Sequence, residues 1–420
     1  MQKYFKKHPD VRLIAVVGSV GKTSTKIAIG TVLNEKYRIR LHEGNHNSEL
    51  SAPLAILGIE YPRDIRSVSQ WCHVFRAIRK RIKQPSDVDV IVQELGTDAI
   101  GQLPHFGTYL TPDVTVVTSV APEHMEFFKT MDAVAAEELS AVNFSKAALI
   151  NRDDVAGVYA QYIQNPNVST YGTTATAEYR FETNDFTFDD GFTGLFYAPE
   201  FSAPLQTTLH LIGDYSTRAA VAAGALGVKM GFSADELTRG LAKIKPVKGR
   251  MNLLRGVEGT LIIDDSYNSS PLAAASALRE LYKMNVPQRI AVLGSMNELG
   301  DMSEEAHAEL GRLCDPIHLA HVVTVGEDAA KYLAPAARAS GCYVVSFRSA
   351  LEAGAYVRQH LEPGAALLFK GSQGDIYLEE AIKNVLHSTE EEGQLVRQSP
   401  AWLEKKRAFF ESLTPLSPDE

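Results

Sequence analysis

The sequence is poor in cysteine and has no long hydrophobic run. Its three cysteines in 420 residues, Cys72, Cys314 and Cys342, lie far apart and form no CxxC pair. A disulfide framework and a Cys₄ zinc site are therefore both excluded. No apolar run approaches the about 18 residues of a membrane-spanning helix, and residues 1–10 lack the hydrophobic centre of a signal peptide. We expect a cytoplasmic protein without membrane insertion.

The chain also lacks the excess of positive charge that is typical of nucleic-acid-binding proteins. Its formal net charge is -9, so we expect no nucleic-acid partner. A local basic stretch, Arg76 to Lys83, is interpreted as the solvated face of a helix. The hydrophobic fraction of 45% and the charged fraction of 22% are ordinary for a globular protein, and the length is sufficient for two or three domains.

What the sequence does contain is a glycine-rich turn between an apolar strand and a helix. Leu13–Val17 predicts a buried strand, and the segment after it reads GSVGKTST. Such a turn presents free backbone N–H groups and the positive end of a helix dipole to phosphate oxygens. Lys22 would reach the outer phosphates and the Thr23 hydroxyl would bind Mg²⁺. The predicted nucleotide-binding residues here are Gly18, Ser19, Gly21, Lys22, Thr23 and Ser24.

The spacing of this turn differs from the strict phosphate-loop pattern. That pattern has a glycine five residues before the second glycine, and Val16 occupies this position. The observed G-x-x-G-K-T-x-T is a tighter loop. Because the Lys-Thr pair stands at the correct offset behind a hydrophobic strand, we interpret the segment as a phosphate loop rather than an ordinary glycine turn.

Strands alternate with helices on both sides of a predicted hinge at Pro246–Arg250. This rhythm predicts an α/β fold: a phosphate-loop ATPase domain with a mostly parallel sheet, followed by a smaller Rossmann-like α/β domain. The predicted boundaries are 1–245, with an antiparallel insert at about 176–212, and then 246–388. A charged, partly helical tail, residues 389–420, offers Trp402, Phe409 and Leu413 at apolar spacing, either for packing on the second domain or for a partner.

Ionisable residues follow the strands next to the phosphate loop. Glu94 ends an apolar strand, and His124 follows the next strand. Since ligands of parallel sheets bind at the carboxyl ends of the strands, both side chains are predicted metal ligands together with Thr23. Glu137 and Glu138 lie on the following predicted helix, where we expect one of them to be on the solvated face.

Eight motifs in order resemble those of the Mur ligase superfamily, most closely the branch that adds D-alanyl-D-alanine to a UDP-N-acetylmuramoyl-tripeptide. They span residues 12 to about 380 and read GSVGKTSTK, GNHNSELSAP, ELGTDAIGQL, EHMEFF, KGRMN, DDSYNSSP, LGSMNELGDMSEEAH and KGSQG. Each motif is weak alone, but the eight together are highly specific.

The resemblance implies an enzyme that uses ATP and Mg²⁺ to activate a carboxylate as an acyl phosphate and joins it to an amino acid or dipeptide amine. Lys22 and the metal would neutralise charge during phosphoryl transfer. It also implies roles for particular residues. Thr23 and Glu94 would hold one Mg²⁺, and His124 would help to hold a second. Nucleotide contacts would come from Arg250, Asn268 and the neighbouring Asp265, and substrate contacts from Asn45, Asn47 and Lys370.

Three features of the sequence depart from the family pattern. The phosphate-loop strand begins at residue 11, which leaves no room for the family's UDP-sugar-binding domain in this sequence. The family's carbamylated lysine falls on Glu138, or on Glu137 if the register differs by one. The predicted catalytic residues are Lys22, His124 and Glu138, and Glu138 would also bind metal. The family's G-x-H-n-v-x-N segment begins here at Gly213 and has lost both the histidine and the final asparagine.

We expect the acceptor to be a small-molecule or peptide carboxylate of cell-wall synthesis, recognised alone or with another cell-wall protein. Two alternatives stay open. One is a ligase of the folylpolyglutamate or poly-glutamate type, and the other is a nucleotide-binding scaffold whose catalysis has decayed. Phosphate release in the presence of candidate peptides and amines would separate them.

Overall fold

The computed structural model describes residues 1–42, 44 and 46–413, and these form two compact units. The first unit comprises residues 1–245, and the second begins at Pro246. Within these described ranges no helix is long and apolar enough to cross a membrane.

The first unit contains nine strands and nine α-helices along its described residues. The strands are β1 (Arg12–Val17), β2 (Ile39–Leu41), β3 (Val90–Glu94), β4 (Val114–Val117), β5 (Ala147–Asn151), β6 (Val168–Gly172), β7 (Tyr179–Thr187), β8 (Gly191–Tyr197) and β9 (Leu205–Leu209). The helices are α1 (Gln2–Lys7), α2 (Lys22–Leu33), α3 (Ser51–Leu57), α4 (Val68–Lys83), α5 (Gln102–Gly107), α6 (Met125–Phe128), α7 (Met131–Asn143), α8 (Asp214–Lys229) and α9 (Ala234–Ala242).

These strands form one sheet in the order β2-β3-β1-β4-β5-β6-β7-β8-β9. Pairing is parallel from β2 to β7, and β8 then runs antiparallel to both β7 and β9. Apolar side chains are buried on both faces of the sheet, as expected of a parallel sheet covered by helices on each side. The mostly parallel α/β architecture was predicted correctly, and the antiparallel strands lie within the segment expected to be an insert.

The position of β1 in this sheet creates the site. Strand β1 lies between β3 and β4, so the carboxyl ends of these three strands meet at one edge. The connections that leave β1 and β3 at that edge are the phosphate loop and the segment after Glu94, and the segment after β4 carries His124. Crevices at such edges are the usual ligand sites of parallel sheets.

The second unit contains a six-stranded sheet in the order β10-β11-β15-β12-β13-β14, with only β10 antiparallel to its neighbour. The strands are β10 (Asn252–Arg255), β11 (Leu261–Asp265), β12 (Arg289–Gly294), β13 (His321–Val325), β14 (Val344–Phe347) and β15 (Ala366–Lys370). The helices are α10 (Pro271–Lys283), α11 (Ser303–Arg312), α12 (Ala334–Ala339), α13 (Ala350–His360), α14 (Glu379–Lys383) and α15 (Pro400–Ser412).

The tail of the sequence packs into the second unit through α15. Lys406 is 2% exposed and forms ion pairs with Glu379 and Glu380 of α14. The rings of Phe409 and Phe410 contact Tyr377. Trp402, in contrast, remains 37% exposed. Internal packing, one of the two expectations for the tail, thus holds for the side of α15 that carries Lys406 and Phe409.

Candidate active site

The phosphate loop is built on two glycines with left-handed or related backbone angles. Gly18 has φ +120°, and a Cβ there would lie 2.4 Å from Thr118 Oγ1, so no other residue fits. Gly21 has φ +89° and precedes the first turn of α2, which contains Lys22, Thr23 and Ser24. Because of this turn, the N-terminus of α2 lies at the carboxyl edge of the sheet.

Residues after β4 hold the phosphate loop in place. Ser119 Oγ accepts from the Val20 N–H at 2.8 Å, and Ser19 N–H donates to the Ser119 carbonyl at 3.1 Å. Ser19 Oγ in turn accepts from the Ala121 N–H at 3.0 Å. The predicted phosphate ligand Ser19 thus has a bracing role through its side chain, while the helix end remains the anion-binding element.

Lys22 lies among three carboxylates at the base of this loop. Its Nζ donates to the Gly18 carbonyl at 2.5 Å and lies 3.5 Å from Glu123 Oε2. Burial alone would lower the pKa of Lys22, but Glu123, Glu138 and Glu94 together raise it above its ordinary value. Lys22 is therefore a charged ammonium at neutral pH, as neutralisation of phosphate charge requires.

The predicted Thr23–Glu94 pair is present. Thr23 Oγ1 donates to Glu94 Oε2 at 3.0 Å, and the carboxylate is 4% exposed at the end of β3. Asn47 Nδ2 donates to the other oxygen, Glu94 Oε1, at 3.2 Å, and Lys26 Nζ lies 3.6 Å from Oε2. The predicted substrate residue Asn47 thus orients the predicted metal carboxylate. Asn45, predicted for the same role, lies outside the described residues.

The structure separates the two candidate glutamates of α7. The Gly18 N–H donates to Glu138 Oε2 at 2.6 Å, so Glu138 contacts the phosphate loop itself. Glu137 instead accepts from the N–H groups of Gly101 and Leu103, each at 2.7 Å, at the start of α5. Both side chains are buried, so the expectation that one of them lies on a solvated face is wrong. Glu137 holds the start of α5, and Glu138 contacts the phosphate loop, where the second metal site is predicted.

Glu138 faces a second carboxylate that the sequence interpretation had not singled out. Burial raises the pKa of Glu138 well above its ordinary value, and the neighbouring Glu123 raises it further against the opposing effect of Lys22. Glu123 directly precedes His124 in the EHMEFF motif, and only the fold shows that it points to Lys22. Two buried carboxylates side by side are costly unless a cation or a proton lies between them.

His124 occupies an unusual backbone conformation beside this cluster. It has φ 46° and ψ 35° and precedes α6. Its Nε2 lies 3.3 Å from Asp98 Oδ1, in the segment that follows Glu94. A positive φ at a non-glycine residue is uncommon and is concentrated at functional sites. Asp98 is a further site residue that the sequence interpretation missed, although it belongs to the ELGTD motif.

The donor set fits Mg²⁺. Its hard oxygen donors form two groups, the Thr23 hydroxyl with Glu94 and the carboxyl group of Glu138 with that of Glu123. Within the described ranges no three His, Cys, Asp or Glu side chains converge as a complete metal cage. Mg²⁺ commonly takes one or two protein carboxylates and completes its shell with water and substrate phosphate oxygens.

The second unit has its own cluster at the carboxyl ends of β11 and β15. Asp265 and Lys370 are register partners across these strands, and Lys370 Nζ lies 2.8 Å from Asp265 Oδ2. Lys370 Nζ also donates to the Asn268 carbonyl at 2.6 Å. Lys370, predicted to meet substrate or phosphate, thus also positions the predicted nucleotide residues Asp265 and Asn268.

A buried arginine from the tail holds the same segment. Arg397 donates to the carbonyls of Ser266 and Tyr267, at 2.8 and 3.0 Å, and pairs with Glu379 at 2.7 Å. Two guanidinium groups lie near the Tyr267 ring, whose centroid is 4.3 Å from Arg250 Cζ and 5.6 Å from Arg397 Cζ. The predicted nucleotide residue Arg250 is therefore fixed against Tyr267, and Arg397 is a residue that local sequence signals could not reveal.

The segment that lost the family's histidine and asparagine contains a cation–carboxylate cluster. Arg218 Nη1 donates to Asp154 Oδ1 at 3.1 Å, and its Nε lies 3.3 Å from Asp153 Oδ2. Burial raises the pKa of Tyr215, whose ring lies 5.1 Å from the Arg218 guanidinium. Arg218 thus fastens the start of α8 to the two aspartates that follow β5.

The fold and the first-unit cluster define an α/β nucleotide-binding protein of the phosphate-loop type. The Mur ligase middle domain model matches residues 16–227, and the model described as Mur ligase, glutamate ligase domain matches residues 249–373. The chain belongs to the Mur ligase family. It is accordingly an ATP- and Mg²⁺-dependent ligase that forms amide bonds, which confirms the reaction class expected from the motifs.

Individual relatives support the branch suggested by the motifs. The UDP-N-acetylmuramoyl-tripeptide--D-alanyl-D-alanine ligase of Bacillus subtilis is 27% identical over 403 residues, which cover 92% of this chain and 79% of that protein. A MurF crystal structure from Acinetobacter baumannii has a TM-score of 0.74 at 21% identity, over 91% of this chain and 78% of that one. Folylpolyglutamate synthase from Thermotoga maritima shares the fold more distantly, with a TM-score of 0.58 at 14% identity over 93% and 92% of the two chains.

Proposed function

We propose that this protein joins D-alanyl-D-alanine to the terminal carboxylate of a cell-wall precursor peptide, as the name of its Bacillus subtilis relative describes for that enzyme. The observation that carries the proposal is the contact between Glu138 and the phosphate loop. Glu138 places a carboxyl group where the family resemblance implies a carbamylated lysine, and a bound Mg²⁺ would keep that group ionised although burial raises its pKa. The ligase would therefore work without prior carbamylation.

The proposed reaction has two steps. An oxygen of the peptide carboxylate attacks the γ-phosphorus of ATP, the bond to the β–γ bridging oxygen breaks, and ADP leaves. The amine of D-alanyl-D-alanine then attacks the acyl carbon of the resulting acyl phosphate. The amide bond forms, the C–O bond to phosphate breaks, and the amine loses a proton. Both steps depend on positioning and charge stabilisation rather than on a protein nucleophile.

The residues of the first unit suit these requirements. Lys22 stays protonated because of its carboxylate neighbours, so it can offset the negative charge that develops on the transferred group. The N–H groups at the start of α2 would bind phosphate oxygens. Hydrogen bonds to the hydroxyls of Ser119 and Ser19 hold the conformation of the loop. Thr23 and Glu94 would hold one Mg²⁺, and Glu138 a second, with His124 as the further ligand that the family resemblance implies. Bound Mg²⁺ neutralises phosphate charge and polarises the phosphoryl oxygens.

The location and the alternatives follow from the same residues. A cytoplasmic location is supported by the three free cysteines and by the requirement for ATP. A decayed scaffold is disfavoured because the Lys22, Thr23 and Glu94 contacts are all retained. A folylpolyglutamate-type ligase is disfavoured by the more distant fold match. Participation of a second cell-wall protein stays a prediction.

A ligation assay tests the proposal. Purified protein, ATP, Mg²⁺ and D-alanyl-D-alanine would be mixed with the muramoyl tripeptide, either free or linked to UDP, and the adduct followed by mass spectrometry. The expected product is the tripeptide extended by two alanines, with one phosphate released per amide formed. The matched control replaces D-alanyl-D-alanine by L-glutamate. Formation of product with L-glutamate but not with D-alanyl-D-alanine would identify the folylpolyglutamate alternative. Absence of phosphate release with every amine would identify a scaffold.

A further inference from the structure

Positive charge is concentrated in one part of an otherwise strongly acidic protein. Residues 1–10 and 62–84 hold ten of the 42 lysines and arginines but only two of the 51 acidic residues. Their net charge is therefore +8, and since the whole chain carries -9, the remainder carries -17. The two segments are neighbours, because α1 packs against α4. They create a positive region that the net charge conceals.

Helix α4 presents two different faces. Val74, Ile78 and Ile82 are directed towards the core of the first unit. The exposed residues occupy the rest of the helix surface and include Val68, Cys72, Phe75, Arg76, Arg79, Lys80 and Lys83. The helix thus uses one apolar stripe for packing and leaves a second, mixed apolar and basic face in solvent.

The exposed cations are not neutralised by neighbouring acids. Among the described residues, no ion pair involves the basic face, which we define as Lys3, Lys6, Lys7, Arg63, Arg66, Arg76, Arg79, Lys80 and Lys83. Arg81 differs, since it pairs with Asp87 at 2.9 Å. A simple solvated helix, the interpretation made from the sequence, does not require this many unpaired charges of one sign.

Large apolar side chains lie beside these cations. Ile65 is 61% exposed, Val68 76% and Phe75 55%, and all three belong to α4 or the turn just before it. Apolar groups next to lysines and arginines on an amphipathic helix are typical of helices that lie in the interface of an anionic membrane. A nucleic acid would use the cations but would gain little from aliphatic side chains.

We propose that the basic face, together with Ile65, Val68 and Phe75, docks this protein onto an anionic lipid bilayer surface. The cations would contact lipid phosphates, and the three apolar side chains would enter the headgroup region without crossing the membrane. The proposal is independent of the substrate named above. The basic face contains no residue assigned to the nucleotide, metal or substrate sites, so loss of docking and loss of ligation are separate outcomes.

Vesicle sedimentation with the full chain tests the proposal. The probes are vesicles of phosphatidylcholine alone and of phosphatidylcholine mixed with phosphatidylglycerol, each at low and high salt. We expect binding to the phosphatidylglycerol vesicles only, weakened at high salt because ions screen surface charge. Equal binding to both kinds of vesicle, or to neither, would overturn the proposal. Preference for duplex DNA or RNA over these vesicles in a competition experiment would also overturn it.

Two sets of variants test which residues are responsible. The triple substitution Arg76→Gln, Arg79→Gln and Lys83→Gln removes three charges from α4, and the partition coefficient should fall on the order of a hundredfold. The matched control, Arg255→Gln, Arg312→Gln and Arg358→Gln, removes three exposed charges from the second unit and should retain binding. An equal loss in both triples would show a net-charge effect and refute a localised face.

The apolar part of the face has its own test. Phe75→Ser should lower the partition coefficient at high salt, where the contribution of charge is screened, whereas Ile317→Ser, at an 87% exposed position of the second unit, should leave it unchanged. Unchanged binding of Phe75→Ser would refute the insertion of apolar groups. Melting temperatures of all variants should match that of the parent protein, since each altered side chain is exposed.

Discussion

Replacement of Glu138 by glutamine gives the sharpest test of the active site. The Gly18 N–H donates to Glu138 Oε2 at 2.6 Å, and the side-chain oxygen of glutamine can accept the same hydrogen bond. The substitution therefore keeps the size of the side chain and its contact with the phosphate loop. What it removes is the carboxyl group beside Glu123 and Lys22 that a bound Mg²⁺ would hold in its ionised form.

The size of the expected effect follows from the burial of the group. Glu138 is 1% exposed, so solvent cannot replace the lost charge. Loss of one preorganised electrostatic group in such a site costs about a hundredfold to a thousandfold in rate. We expect Glu138→Gln to lower kcat by that amount and to need more Mg²⁺ for half-maximal rate, with little change in melting temperature.

Glu137→Gln is the matched control, because the same substitution is made one residue away. Glu137 accepts three hydrogen bonds, from Gly101 N–H, Leu103 N–H and the Thr97 hydroxyl. An amide would turn an NH₂ group towards one of these donors, which costs about 1–3 kcal/mol of unfolding free energy. In a unit of this size, the melting temperature would fall by about 2–4 °C per kcal/mol. Its kcat should be nearly unchanged.

Phosphate release is the assay, and bicarbonate is the second variable. Wild type should be insensitive to bicarbonate, since a glutamate needs no carbamylation. Glu138→Lys should be inactive without bicarbonate and partly active with it. The reasoning is refuted if Glu138→Gln retains full activity at limiting Mg²⁺, or if wild type loses activity when dissolved CO₂ is depleted.

Three further predictions concern charges elsewhere in the two units. Lys22→Ala should lower kcat on the order of a hundredfold or more with an unchanged near-UV circular dichroism spectrum, and near-normal turnover would contradict the phosphate-loop assignment. Arg397→Met should raise the KM for ATP more than it lowers kcat, and Arg397→Lys should restore part of the affinity. Burial raises the pKa of Asp264 to about 6, so the folded protein holds this proton more tightly than the unfolded chain. The contribution of Asp264 to the free energy of unfolding should therefore fall by on the order of 3 kcal/mol as pH rises from about 4 to above 6. Thermal denaturation at several pH values should show this loss for the wild type and not for Asp264→Asn.

The parts of the fold that could be predicted from sequence are those specified by local patterns. An apolar run placed strand β1 to within one residue, at Leu13–Val17 against the observed Arg12–Val17. The glycine turn identified the phosphate loop, and the rule that sites form at carboxyl ends of strands brought Thr23 and Glu94 together. These inferences needed only periodicity and one topological rule.

What sequence reasoning missed depends on tertiary contacts. Glu123 and Asp98 lie in motifs that were noted, but adjacent residues of a loop point in different directions, and only the fold shows which one faces Lys22. The choice between Glu137 and Glu138 was open for the same reason. A helical step of about 100° sends one carboxylate to the start of α5 and the other to Gly18.

Arg397 shows how far from a site its support can lie in sequence. It is 131 residues from Ser266, in a stretch that composition marks as a charged tail, yet its side chain is 5% exposed. Burial of that charge is tolerable because Glu379 and two carbonyls satisfy it. Lys370 donates to the Asn268 carbonyl, so Arg397 and Lys370 together hold the three consecutive carbonyls of residues 266–268. Carbonyl groups of a solvated loop could reorient, but here Arg397 and Lys370 hold them by hydrogen bonds. These bonds fix the backbone orientation of Asn268. The tail, through Arg397, therefore supports the segment that is predicted to contact the nucleotide.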